Sequence, residues 1–316
     1  MPALNNGVQL FAILLTLKGN FNDMRKFGFF LLLFLLSGRL FAQAYPAATI
    51  FHIRSSNTSF PDTARAKGHL YDKVLYDAAT HYSDSSVLII VPKNLDARKS
   101  VDLVFWFHGW RNNIDSAAER YQLTRQFLAS NLNAVLVLAE TAKDSPDSYG
   151  GKLENEGVFK ALVVDVMIGL KTRQLVPLKC HPGHILLAGH SGAYRVMAHI
   201  LKNGEMPVDE VVLFDAHYAE TDKFMNWITA DGSHRFIDIY TDHGGTDEET
   251  RSLMKLLDTA KQSYVFREEN ELTPQILKEN RLVFIHSPHE HDKIIANPDN
   301  FLLYLLNEPF LARSRP

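Results

Sequence analysis

The 316-residue chain contains a single cysteine, Cys180. No intrachain disulfide can form, so the fold must rest on its core, and a chain of this length can build one. A lone cysteine reads as a small buried hydrophobe rather than a catalytic thiol. Excess charge of one sign is also missing: 33 Lys and Arg face 36 Asp and Glu, for a formal net charge of −3. Basic runs with interleaved aromatics are absent, which removes the footprint expected of a nucleic-acid partner. After residue 45 there is no repeat, no low-complexity linker and no shift in composition.

Long apolar runs are scarce as well. The most apolar stretch, Phe27 to Leu36, falls short of the about 20 residues a membrane span needs. It follows Met24-Arg25-Lys26 and leads into Ala42-Gln43-Ala44. A basic start, an apolar centre and an Ala-x-Ala end describe a secretory signal peptide over 24–44, and hence a secreted or periplasmic protein with no stable membrane span after cleavage. Residues 1–23 then read as an extension ahead of the true start. Residues 45–316 remain, about the size of one large α/β domain.

Within 45–316, strand-like and helix-like segments alternate. Val87–Val91, Val101–Phe107, Ala134–Ala139, His184–Ala188, Val211–Phe214, Phe236–Thr241 and Arg281–His286 are short apolar runs with the length of buried strands. Between them, 158–171 and 248–261 read as helices, the first apolar nearly all round and so expected to be buried. Ser116-Ala117-Ala118-Glu119 has the form of a capping box opening a helix with Tyr121, Leu123 and Phe127. The alternation predicts an α/β fold with a mostly parallel central sheet flanked by helices on both faces.

Three motifs carry chemistry. Gly189-His190-Ser191-Gly192-Ala193 lies between an apolar strand and a helical pattern with apolar residues at 193, 196, 197, 200 and 201. This is the form of a nucleophile elbow, a sharp turn that lifts a serine hydroxyl above the sheet edge at a helix N-terminus. His108-Gly109-Trp110 follows an earlier strand, and Ser287-Pro288-His289-Glu290-His291-Asp292-Lys293 precedes the closing helix near Phe301.

These motifs, in this order, resemble those of the α/β-hydrolase superfamily over nearly the whole of 45–316. The last elbow position departs from the usual glycine, since Ala193 stands there, which adds one methyl. The resemblance implies Ser191 as nucleophile and His291, ahead of His289, as its base. The acid is open among Asp242, Asp215 and Asp247, in that order. It further implies an oxyanion hole from the backbone N–H of Gly192 and of Trp110 or Arg111. Trp110, Arg111 and His190 are candidate substrate contacts. Only about twenty residues separate the strands ending at Asp215 and Asp242, too few for a large cap domain. The run from His286 to Asp292 has no companion cluster with metal-ligand spacing, so neither metal nor cofactor is expected. The expected function is a serine hydrolase acting on esters, either small molecules or extracellular or envelope polymers. An amidase or peptidase on the same triad is the alternative, and a non-catalytic binding protein on the same fold is the rival from another class. The loop 144–154, polar and glycine-bearing, is either a rim that contacts substrate or a solvated loop.

Overall fold

A computed structural model describes residues 47–296 and 299–314. The proposed leader and the extension before it lie outside these residues. The chain runs through β1 (Ala48–Arg54), the hairpin β2 (His69–Tyr71) and β3 (Val74–Tyr76), α1 (Ala78–His81), β4 (Ser86–Pro92) and β5 (Ser100–Phe107). Next come α2 (Ile114–Arg120), α3 (Leu123–Ala129), β6 (Ala134–Ala139), α4 (Val158–Thr172), β7 (His181–His190) and α5 (Tyr194–Asn203). Then follow β8 (Glu210–Phe214), α6 (Thr221–Ala230), β9 (Arg235–Thr241), α7 (Asp247–Thr259), β10 (Val265–Glu268), α8 (Pro274–Glu279), β11 (Leu282–Ser287) and α9 (Asn300–Leu306).

Nine strands form one sheet in the order β1-β4-β6-β5-β7-β8-β9-β11-β10. Only β4 runs against its neighbours; every pair from β6 to β10 is parallel. The central strands are largely apolar because both faces are covered, with Asp102 of β5 and Asp238 of β9 as interruptions. β6 (AVLVLA) and β8 (EVVLF) are buried at every position. Side chains alternate between two cores: Val87, Ile89 and Val91 of β4 point into one, Leu88 and Ile90 into the other. The first core is closed by α4, α5, α6 and α7, through residues such as Phe159, Met197, Phe224 and Leu253. The second is closed by α2, α3 and α9, through Ile114, Phe127, Phe301 and Tyr304. Between β8 and β9 stands α6 alone, so no large cap is inserted there.

Several expectations need correction. The helix expected from Ser116 is two helices. Asn113, not Ser116, caps the first, accepting from the Ser116 backbone N–H at 2.9 Å. The chain breaks at Gln122, whose φ is +50°. α4 is not buried all round, since Val164 and Ile168 are 51% and 55% exposed. β1, β10 and the β2–β3 hairpin were not foreseen. Cys180 is buried, and burial pushes its thiol pKa up.

Candidate active site

The site lies at the C-terminal ends of the parallel strands, where loops from several βα units converge. At the end of β7, Ser191 takes φ +55°, the left-handed conformation of an elbow. Such a conformation costs about 1–3 kcal/mol and persists only where packing fixes it. Two glycines allow that packing. A Cβ on Gly109 would lie 2.5 Å from Ser191 Cβ, and one on Gly189 would lie 2.7 Å from Ala193 Cβ. The methyl of Ala193 is therefore accommodated because Gly189 opposite has none. Ser191 opens a short 3-10 turn (Ser191–Ala193) that continues into α5.

The carboxylate that meets His291 is Asp215, not Asp242. Asp215 follows β8 directly, takes φ +45° and is fully buried. Its Oδ2 lies 2.6 Å from His291 Nδ1 and accepts from Thr241 Oγ1 at 2.8 Å. Its Oδ1 accepts from the Thr246 hydroxyl and from the Thr241 backbone N–H, the latter at 3.2 Å. Burial alone would raise the Asp215 pKa, but hydrogen bonds from His291, Thr246 and Thr241 hold it below the ordinary carboxylate value. The loop after β9, expected to supply the acid, instead cradles it. A Cβ on Gly244 would fall 1.8 Å from Asp215 Oδ2, so only glycine fits there. Asp242 points the other way, 3.0 Å from His286 Nε2, and its side chain is 62% exposed. Asp247 opens α7 and pairs with Arg251 at 2.7 Å. His289 sits 3.4 Å from Glu269.

Around Ser191 the walls are aromatic. Tyr218 is among them, and burial first, then Asp215, pushes its phenol pKa up. Its ring lies 6.3 Å from that of His291 and 5.9 Å from Tyr194. On the other side Trp110, 43% exposed, covers Gly192: a Cβ there would approach Trp110 Cδ1 to 2.6 Å. The indole N–H donates to Ser148 Oγ at 2.7 Å, and Tyr71 of the β2–β3 hairpin packs edge-on at 5.3 Å. Trp110 therefore faces the cleft as well as packing. The Arg111 side chain is exposed beside it.

The backbone N–H groups of Trp110 and Arg111 differ in their hydrogen bonds. The Arg111 N–H already donates to Ser145 O at 3.0 Å, whereas the Trp110 N–H has no partner among the described residues. Gly192 sits in the first helical turn, where N–H groups have no partner within the helix. Beneath this loop His108 is fully buried. Its Nε2 lies 2.6 Å from Glu140, which also accepts from Ile114 N–H at 3.3 Å. Burial works to lower the His108 pKa, but the Glu140 charge overrides it and raises the value.

His190 is not in the cleft. It is 2% exposed, which corrects its assignment as a substrate contact. Its Nδ1 is 3.2 Å from Tyr121 Oη and its Nε2 3.0 Å from the backbone oxygen of His291. Burial, and then the neighbouring His291, lower its pKa to about 4. Ligand-type atoms of His190, His291 and Asp292 lie within 4.8 Å of one another, but both nitrogens of His190 are engaged in these hydrogen bonds.

The loop 144–154 is braced rather than loosely solvated. Asp147 pairs with Arg65 at 2.6 Å, and Glu154 holds Arg195 through two bonds of 2.6 and 3.0 Å. Through Ser148 it reaches Trp110. Tyr218, Tyr71 and the Thr241–Thr246 cradle escaped the sequence reading. For Tyr218 and the cradle the one signal available was their place at or after a strand end; Tyr71, inside the short strand β2, carries none.

No family model matches the chain, and no curated protein matches it. Among solved structures it is similar to the CE1 ferulic acid esterase of the anaerobic fungus Anaeromyces mucronatus, with TM-score 0.51, 13% identity, and 84% and 91% of the two chains covered. It is also similar to the feruloyl esterase module from Clostridium thermocellum, with TM-score 0.50, 11% identity, and 85% and 92% covered. A third is FphF, a fluorophosphonate-binding serine hydrolase of Staphylococcus aureus, with TM-score 0.49, 11% identity, and 84% and 100% covered. The chain has the α/β-hydrolase fold, with no large cap domain among the described residues.

Proposed function

We propose that this chain is an exported serine hydrolase that cleaves carboxylic esters through an acyl-enzyme on Ser191. One observation carries the reading: at the foot of an elbow with a left-handed serine, His291 Nδ1 sits 2.6 Å from a fully buried carboxylate. With Nδ1–H held by Asp215, the lone pair of His291 is on Nε2, the nitrogen that takes the Ser191 proton. Ser191 Oγ then attacks the ester carbonyl, and the backbone N–H groups of Trp110 and Gly192 receive the oxyanion. The imidazolium, stabilised by Asp215, gives its proton to the departing alcohol. Water, deprotonated by the same imidazole, releases the acid. The esterases among similar structures support the ester class, and the signal-peptide pattern over 24–44 supports export.

The test is labelling with a fluorophosphonate, followed by a screen over esters of rising acyl length and aminoacyl amides. Labelling of the wild type, its loss in Ser191→Ala and turnover of esters over amides are expected. A well-folded protein that takes no label would return the chain to the class of non-catalytic binding proteins. Preference for amides would make it an amidase.

A further inference from the structure

His190 immediately precedes the nucleophile, yet its imidazole is turned away from the cleft into a buried site between β7, the end of α2 and the His291 loop. A carbonyl oxygen can only accept, so the 3.0 Å contact to His291 O requires a proton on His190 Nε2. In the neutral ring that leaves a lone pair on Nδ1, which must receive the Tyr121 hydroxyl proton across 3.2 Å. Tyr121 Oη also donates to Asp292 Oδ1 at 3.3 Å, so its one proton is shared between the His190 nitrogen and that carboxylate. The chain of donors thus runs one way, from Tyr121 to His190 to the main chain of His291.

That main chain lies inside a turn closed by the Lys293 N–H donating to Glu290 O at 2.8 Å, but among the described residues the backbone atoms of His291 itself make only the hydrogen bond to His190. The two imidazole rings also pack together, with centroids 4.4 Å apart and planes tilted by 34°. Asp215 fixes the Nδ1 edge of His291 at one atom, with the Tyr218 ring 6.3 Å from the imidazole. The second point of support comes from His190.

We propose that His190 is a positioning residue, tying the strand that carries the nucleophile to the loop that carries its base, with Tyr121 fixing its tautomer. The proposal rests on the serine-hydrolase reading above. Because the nucleophile and its support share one rigid strand end, their spacing to His291 is set in a single step. A misplacement of about 1 Å between reacting groups can cost about 100-fold in rate.

The experiment compares His190→Leu, His190→Gln and Tyr121→Phe by steady-state hydrolysis of p-nitrophenyl acetate, with melting curves for each. The Gln amide nitrogen can donate near the place of Nε2; Leu cannot donate at all. His190→Leu is expected to lower kcat about 10- to 100-fold with KM within about twofold, His190→Gln to recover most of that loss, and Tyr121→Phe to fall between. If His190→Leu keeps kcat within twofold of the wild type, or if the Gln variant is as slow as the Leu variant, the positioning role is wrong. Should His190→Leu not fold, Tyr121→Phe decides: an unchanged kcat overturns the proposal. Ser191→Ala in parallel tests the underlying reading separately, since turnover surviving there would refute the serine mechanism whatever His190 does.

Discussion

Replacing Asp215 with asparagine separates the acid that the fold presents from the one the sequence order favoured. Both oxygens of Asp215 accept: Oδ1 from the Thr246 hydroxyl and the Thr241 backbone N–H, Oδ2 from the Thr241 hydroxyl and His291 Nδ1. An asparagine has one acceptor oxygen to offer. The Thr241 N–H cannot rotate, so the amide oxygen must take the Oδ1 place and the NH2 group must face His291. His291 then accepts on Nδ1 and carries its proton on Nε2, the tautomer unable to take the proton of Ser191. The expected fall in kcat is about 1,000- to 10,000-fold, about 4–5.5 kcal/mol of transition-state stabilisation, with KM little changed. Stability should drop by about 1–3 kcal/mol, because a donor now faces the buried threonine hydroxyl. Asp242→Asn touches only a surface pair with His286 and should leave kcat within about twofold. The assay is steady-state hydrolysis of p-nitrophenyl acetate by folded variants whose remaining activity is checked against Ser191→Ala. An Asp215→Asn enzyme within tenfold of the wild type, or an Asp242→Asn enzyme equally crippled, would refute this account of the triad.

Gly244→Ala should push Asp215 off His291, since the new Cβ would lie 1.8 Å from Oδ2; a loss of about 1–3 kcal/mol together with most of the activity is expected. Gly232→Ala, whose Cβ meets nothing within 4 Å, is the matched control in the same melting and turnover assays, and equal behaviour of the two would sink the cradle argument. Stability should also depend on pH through His190. Its folded-state pKa is lowered from 6.5 to about 4, so between these values the unfolded chain binds the extra proton and stability falls as pH falls. The drop over that window is about 3 kcal/mol, and little of it lies above pH 6.5. Denaturant melts of wild type and His190→Gln across the window check this, since the variant should lack that component of the slope; parallel slopes would refute it.

Much of this was legible because it is local. Strands covered on both faces are largely apolar, and β4, β5, β6, β8 and β9 announce themselves that way, although Asp102, Glu210, Arg235 and Asp238 interrupt three of them. The elbow is local too: strand, small residues and helix are contiguous, and Gly189 and Gly109 are required by contacts a few residues away or across one strand pair. The N-terminal hairpin is three residues a side and exposes Leu70, Val74 and Leu75, so no burial pattern marks it. The break at Gln122 depends on a left-handed residue with no glycine to signal it.

The acid was illegible for a different reason. Which aspartate reaches His291 is decided by the path of two loops, and a residue's place in the chain constrains that path weakly. Asp215 wins because a left-handed turn directly after β8 points its carboxylate inward and because Gly244 lacks the atom that would collide with it. Both causes lie outside any motif that contains the aspartate. The same holds for His190: its partners stand 69 and 101 residues away along the chain, and the elbow pattern treats its position as free. A motif position that chemistry leaves unspecified is therefore one the surrounding packing is able to use. Under the proposed mechanism the three consecutive residues Gly189, His190 and Ser191 would serve three separate needs — helix approach, support of the base and attack — and only the first and last of these are written in the motif.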